Sequence, residues 1–201
     1  MKLYYSRLLP CAFLFVLVML TYQASAQTDY IIKKDGVKVM GDVKSYSMNK
    51  VKFIPVGETK ALKYDPDQVN EIFSTKDGIF RSVLLNKDQH RTFLQVLEDG
   101  RIKLYRYIVS SGAPGAPMFN GGGFSGMGVG YSHTKLSWYA QKDGSALIEV
   151  KSNSIWGSRK GRKDAFLALI ADNEQVTQRY QAEDKFTFDF VRSLVEDYNK
   201  L

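Results

Sequence analysis

The fold turns on residues 93–109, FLQVLEDGRIKLYRYIV. Before Asp99-Gly100 runs the extended apolar pattern Phe93-Leu94-Gln95-Val96-Leu97, and after it residues 101–109 alternate; a period of two marks a strand with one packed face and one wet face. An Asp-Gly pair between two such runs is a strong hairpin signal, because both residues tolerate the positive φ of a type I′ turn. The stretch therefore predicts two tightly joined antiparallel strands. Three more Asp-Gly pairs repeat the arrangement, at Asp35-Gly36, Asp77-Gly78 and Asp143-Gly144. They are flanked by residues 30–33 and 37–40, 71–74 and 79–84, and 136–140 and 146–150. Residues 41–46 and 50–55, joined by Ser47-Met48-Asn49, add a further pair. Residues 29–150 thus read as an antiparallel meander of about eight to ten short strands, which a coiled or small barrel-like sheet would complete by hiding its edges.

After Val150 the period changes. Residues 164–171 put Phe166, Leu169 and Ile170 on one side of a helix, with Asn173 as its stop. Residues 174–181 form a shorter helix carrying Val176 and Tyr180. Phe190, Val191, Leu194, Val195 and Tyr198 make one apolar stripe. Thr187 caps that last helix, and Asp189 suits its dipole. A stripe of this kind is stable only when buried. The fold class is therefore α+β, an antiparallel meander or small barrel-like sheet followed by two or three C-terminal helices packed on it. The chain divides into residues 1–26, a β-rich region at 27–150 with a Gly-rich loop at 112–130, and a helical region at 151–201 of the same domain.

Residues 1–26 have the three parts of a cleavable secretory signal. Lys2 and Arg7 precede the apolar run CAFLFVLVML at 11–20, and Ala24-Ser25-Ala26 supplies the small residues before cleavage between Ala26 and Gln27. The run is shorter than the roughly 20 apolar residues of a membrane span. Cys11, the only cysteine, stands at the start of the run, whereas a lipidated cysteine would follow it. The expectation is export to the periplasm or the outer envelope, without a lipid anchor and without a thiol in the mature chain. The mature chain then holds 26 basic against 21 acidic residues, a net charge of +5. That balance lacks the concentrated basic stripe of a nucleic-acid binder.

Chemistry-bearing motifs are sparse. Gly121-x-Gly123-x-x-Gly126 satisfies the dinucleotide spacing but opens no helix, so no cofactor is expected. Ser125 lacks the final glycine of a nucleophile elbow. His90 and His133 stand apart, in a polar turn and at a strand start, without metal-ligand spacing. Asp65-Pro66-Asp67 reads as a turn. No catalytic or metal residue is assigned, and a hydrolase with an unrecognised site is the lesser alternative. Tyr105, Tyr107, Trp138 and Tyr139 read chiefly as packing residues, with a stacking surface for sugar or peptide as the other possibility.

Two features are candidates for partner contact. Arg159-Lys160-Gly161-Arg162-Lys163 is the one dense basic cluster, suited to an anionic surface and otherwise a solvated loop leading into a helix. The segment 112–130, with eight glycines and two prolines in 19 residues, carries Phe119 and Phe124 as apolar tips. The partners expected are an envelope protein, a peptide or a glycan, and an anionic membrane surface.

Several patterns also resemble a widespread type of uncharacterised exported protein of Bacteroidota. They are Tyr30-Ile31-Ile32-x-x-x-Gly36 with Val39-x-Gly41-Asp42-Val43, Tyr64-x-Pro66-x-x-Val69-x-x-Ile72, residues 93–105, and an ending of Leu194-Val195-x-x-Tyr198-Asn199. The resemblance spans most of the mature chain except residues 112–130. It implies export and a β-rich body with C-terminal helices, and it implies no activity.

Overall fold

The computed structural model describes residues 28–85, 90–111, 133–154, 157–183 and 185–200. Ten strands come first: β1 (Tyr30–Lys33), β2 (Lys38–Ser47), β3 (Lys50–Pro55), β4 (Leu62–Tyr64), β5 (Val69–Ser74), β6 (Gly78–Leu84), β7 (Arg91–Asp99), β8 (Ile102–Ser111), β9 (His133–Lys142) and β10 (Ile148–Ser152). Three helices follow: α1 (Arg159–Ile170), α2 (Glu174–Gln181) and α3 (Phe188–Lys200). The class is α+β, an open antiparallel sheet with helices docked on it. The lateral order is β10-β9-β8-β7-β6-β5-β1-β2-β3-β4. The first four strands meander outward, and the chain then returns to lay β5 on the other side of β1. Ile31 consequently faces Val39 on one neighbour and Ile72 on the other.

All four Asp-Gly pairs fall at turns, but only Asp143-Gly144 has both residues at positive φ, 48° and 75°. At Asp35-Gly36 and Asp77-Gly78 the glycine alone is left-handed. There a four-residue turn comes first, with Gly36 N–H donating to the Lys33 carbonyl and Asp77 N–H to the Ser74 carbonyl. These are the longer hairpin loops that end in a left-handed glycine. Gly100 has no positive φ, and its reason lies in α3. The chain runs at 37–40 and 41–46 merge into the single strand β2, which absorbs a register shift between Val43 and Ser45. The sequence pattern predicts no strand at β4, whose three residues form the edge of the sheet.

Register shows that both cores lie on one face of the sheet. Ile72 faces Phe80, Phe80 faces Gln95, and Gln95 faces Arg106, which lies two residues from Leu104. In the first half that face carries Ile31, Val51, Phe53, Val69, Ile72, Phe80 and Phe93. The sheet covers this half by curling over itself. The Met48 carbonyl, in the β2–β3 turn, accepts the Phe93 N–H at 2.8 Å and the Thr92 hydroxyl at 2.9 Å. The β7–β8 register begins only at Gln95, so the start of β7 offers Phe93 N–H to the turn. In the second half Ile102, Leu104, Trp138, Ala140 and Val150 are covered by helices, through Phe166, Ile170, Val191, Leu194 and Val195.

The last helix buries Val191, Leu194, Val195 and Tyr198, the stripe its periodicity predicts. Thr187 Oγ1 accepts the Phe190 N–H at 3.1 Å, as a cap should. Asn173 does not stop α1; it caps α2, with its side chain accepting the Val176 N–H. Helix α1 begins at Arg159, well before the first apolar residue of its pattern, because Ser158 Oγ accepts the Gly161 N–H at 2.9 Å. Among the described residues no helix is long and apolar enough to cross a membrane.

Candidate functional site

The early start of α1 corrects the reading of the basic cluster. Arg159, Lys160, Arg162 and Lys163 form the first turns of a helix, not a loop before one. That placement is locally unfavourable. The N-terminal end of a helix carries partial positive charge, where each surface cation costs about 0.3–1 kcal/mol at low salt, and α1 has no acidic residue in its first turn to offset it. Such conflicts between local preference and structure collect at functional sites.

The cations do not simply fan into solvent. Arg159 and Arg162 line a hollow of about 390 Å³ together with Lys151, Ser152, Ser154, Gly157 and Phe186. Lys151 arrives from β10, the edge strand, where a register shift beside Glu149 places it opposite Trp138 on the helix-covered face. Its ammonium donates to the Phe186 carbonyl and lies 5.0 Å from the Phe186 ring centre. Lys163 approaches the same ring at 5.8 Å. Gly157 sits at φ 94°, and a Cβ there would come within 3.1 Å of Arg162 Nη1. Only glycine lets the chain pass so close to that guanidinium without strain.

Among the described residues, charge in the hollow is not balanced. The one carboxylate in ion-pair contact with these cations, among the described residues, is Glu149, whose Oε1 lies 3.7 Å from Arg162 Nη1. The Arg162 side chain is 13% exposed, so this long contact is made largely out of solvent. Burial pushes the Lys151 ammonium below the usual lysine range, and the positive charges of Arg159, Arg162 and Lys163 push the same way. Like charges are being held together by the fold.

The other ionic clusters are satisfied within the chain. On the opposite face of the sheet, Arg81 grips Asp99 through two bonds of 2.7 Å and reaches Glu71 at 3.0 Å. The Asp99 interaction holds the Arg81 guanidinium above its ordinary range against the effect of burial, and Glu71 adds to it. Asp172 accepts Lys142 and the Tyr198 hydroxyl, with Arg101 at 3.3 Å. These networks pair each cation with a carboxylate and so leave little charge for a ligand to meet.

The remaining sequence candidates are dispersed. Tyr105, Tyr107 and Tyr139 share one face by strand alternation and register, whereas Trp138 lies on the other, packed edge-on to Phe188 at 4.9 Å. The four therefore form no common platform. The Trp138 indole N–H is buried without a hydrogen-bond partner among the described residues. His90 is exposed ahead of β7, and His133 begins β9. Asp65-Pro66-Asp67 is a turn, closed by Gln68 N–H to the Asp65 carbonyl. No group of three or more His, Cys, Asp or Glu able to hold a metal occurs among the described residues. Phe119, Phe124, the cleavage pair Ala26 and Gln27, and the glycine tract lie outside the described residues.

Sequence reasoning found Arg159, Lys160, Arg162 and Lys163 but missed Lys151 and Gly157. A signal existed for the helix start, a serine followed three residues later by the first helix-compatible turn. Nothing local tied Lys151 to the cluster. No family model, curated protein or solved structure matches this chain.

Proposed function

We propose that this protein is an exported, non-catalytic binding module of the cell envelope or its exterior, and that its contact site is the cation-lined hollow between β10 and α1. One observation carries the reading. Lys151, Arg159 and Arg162 converge on one hollow with Glu149 as their one carboxylate neighbour among the described residues. An arrangement that costs electrostatic energy in isolation gains it back when a negatively charged partner arrives. An envelope protein, an acidic peptide or a charged glycan would each meet that requirement. Export is supported by the reading of residues 1–26, and Lys151, Arg159 and Arg162 supply the contact, with Lys160 and Lys163 beside them on α1.

The test is crosslinking in cells, with a photoreactive residue in place of exposed Lys185, next to Phe186 of the hollow, followed by identification of the attached partner. The expected result is a defined adduct that is lost when Arg159, Lys160, Arg162 and Lys163 are all changed to Gln. An adduct pattern unaltered in that variant sinks the reading.

A second reading, association with an anionic lipid or lipopolysaccharide surface, is favoured by the exposure of Arg159 and Lys160. It predicts that the four-Gln variant no longer floats with anionic liposomes, whereas flotation of the wild type should fall with added salt.

A further inference from the structure

We propose that the hollow between β10 and α1 is a discrete site for a phosphate monoester group, one per chain, formed by Lys151, Arg159 and Arg162. This rests on the binding-module reading and narrows its ligand. Three observations support it beyond the presence of basic residues. The cations come from two elements and converge on a bounded volume, whereas a solvated basic face would spread them along one helix surface. Charge then selects the group. Among the described residues, three cations against the Glu149 carboxylate leave an excess of two positive charges, and a phosphate monoester carries about −1.5 to −2 at neutral pH, against one for a carboxylate or a phosphodiester. Geometry selects in the same direction. Two guanidinium forks and an ammonium suit an oxyanion with three exposed oxygens, since arginine binds such groups through paired, parallel bonds and lysine acts as a point charge.

Arg162 is the organised member of the set. Glu149 holds one side of it, and the left-handed Gly157 passes against its guanidinium. Lys151 is anchored by the Phe186 carbonyl and ring. Arg159 is exposed at the rim, without an ion-pair partner among the described residues, and is available to close over a bound group. The volume exceeds what a bare phosphate needs and falls within the range of about 300–1,000 Å³ that holds whole small ligands. The group therefore enters on a small body, either as a lipid headgroup or as a soluble phosphate ester.

The purified protein is titrated calorimetrically with inorganic phosphate, with chloride at matched ionic strength as the control. Saturable one-to-one binding is expected, weakened at least about tenfold in Lys151→Gln and in Arg159→Gln, the loss of one charge-assisted bond. Arg159→Gln touches no core residue, so it decides the matter even if Lys151→Gln fails to fold. Lack of saturable binding, or binding unchanged in both variants, overturns the proposal. Vesicles of phosphatidylcholine containing phosphatidic acid separate the sources. Phosphate-sensitive flotation identifies a lipid headgroup, and phosphate binding without flotation identifies a soluble ester. Flotation that persists in both variants and resists phosphate means diffuse surface attraction and overturns the discrete site. If the crosslinked partner depends on the four-Gln positions but phosphate does not displace it, the binding module stands and the phosphate site falls.

Discussion

The two halves of this sheet bury the same face by different means. In β1–β7 the sheet curls and seals itself with the Met48 turn, so its cover is made of strands whose residues are committed by register. In β8–β10 the cover is three helices, whose inner stripe is committed to the core while the first turn of α1 is not. Where the first turns of α1 meet the edge strand β10, a hollow remains, and the unbalanced cations sit there. A helical cover leaves room for a site at its margins, whereas a sheet folded on itself spends its polar groups on closing the seam.

The largest expected effects come from breaking each core in turn. Phe53→Ala in the curled half and Phe166→Ala in the helical half each remove a fully buried ring and should each cost about 3–5 kcal/mol. Urea unfolding followed by far-UV circular dichroism should show one transition shifted in both variants. Two separated transitions would mean that the halves unfold independently despite the continuous sheet.

The helical half is also latched at its far end. Asn199 donates to the Ile102 carbonyl and accepts its N–H, both at 2.8 Å, and a Cβ on Gly100 would come within 2.3 Å of the Asn199 side chain. Gly100→Ala should therefore cost about 1–3 kcal/mol by overpacking. Adding Asn199→Ala should recover part of that loss, a non-additivity that a double-mutant cycle measures directly. Strict additivity would remove the latch from the account.

On the curled side the seam is weaker. Thr92→Val deletes the hydroxyl bond to the Met48 carbonyl and should cost about 1 kcal/mol. The faster exchange that results should be confined to amides of the β2–β3 turn and the start of β7. Faster exchange across β8–β10 would show that the seam supports both halves.

The smallest effect is one of pH, and it too belongs to the curled half. Burial acts to raise the Asp29 pKa, but bonds from the Thr75 and Val43 backbone N–H groups and the Thr75 hydroxyl outweigh it and leave it below 3.8. A carboxyl depressed on folding contributes stability above its unfolded pKa and loses it as pH falls through the folded value. The urea midpoint should thus fall with acidification below about pH 4, and the slope should be shallower in Asp29→Asn. Asp99 and Asp172 are also depressed, by Arg81 and Lys142 respectively, so some acid sensitivity should persist in the variant.

Local physics alone was enough to read most elements of this protein. Extended apolar runs beside turn signals located nine of the ten strands, Asp-Gly chemistry located the turns, and the apolar stripe located α3, because each depends on residues within a few positions of one another. Half of the site was readable on the same basis, since Arg159, Lys160, Arg162 and Lys163 are adjacent in the chain. Only the tertiary structure placed β1 between β2 and β5, docked the Met48 turn on β7, set Asn199 against Gly100 and brought Lys151 and Gly157 to the basic cluster. A periodic pattern fixes which way a side chain points, but the choice among faces of the right polarity is made by the packing of the whole chain, which no local window contains.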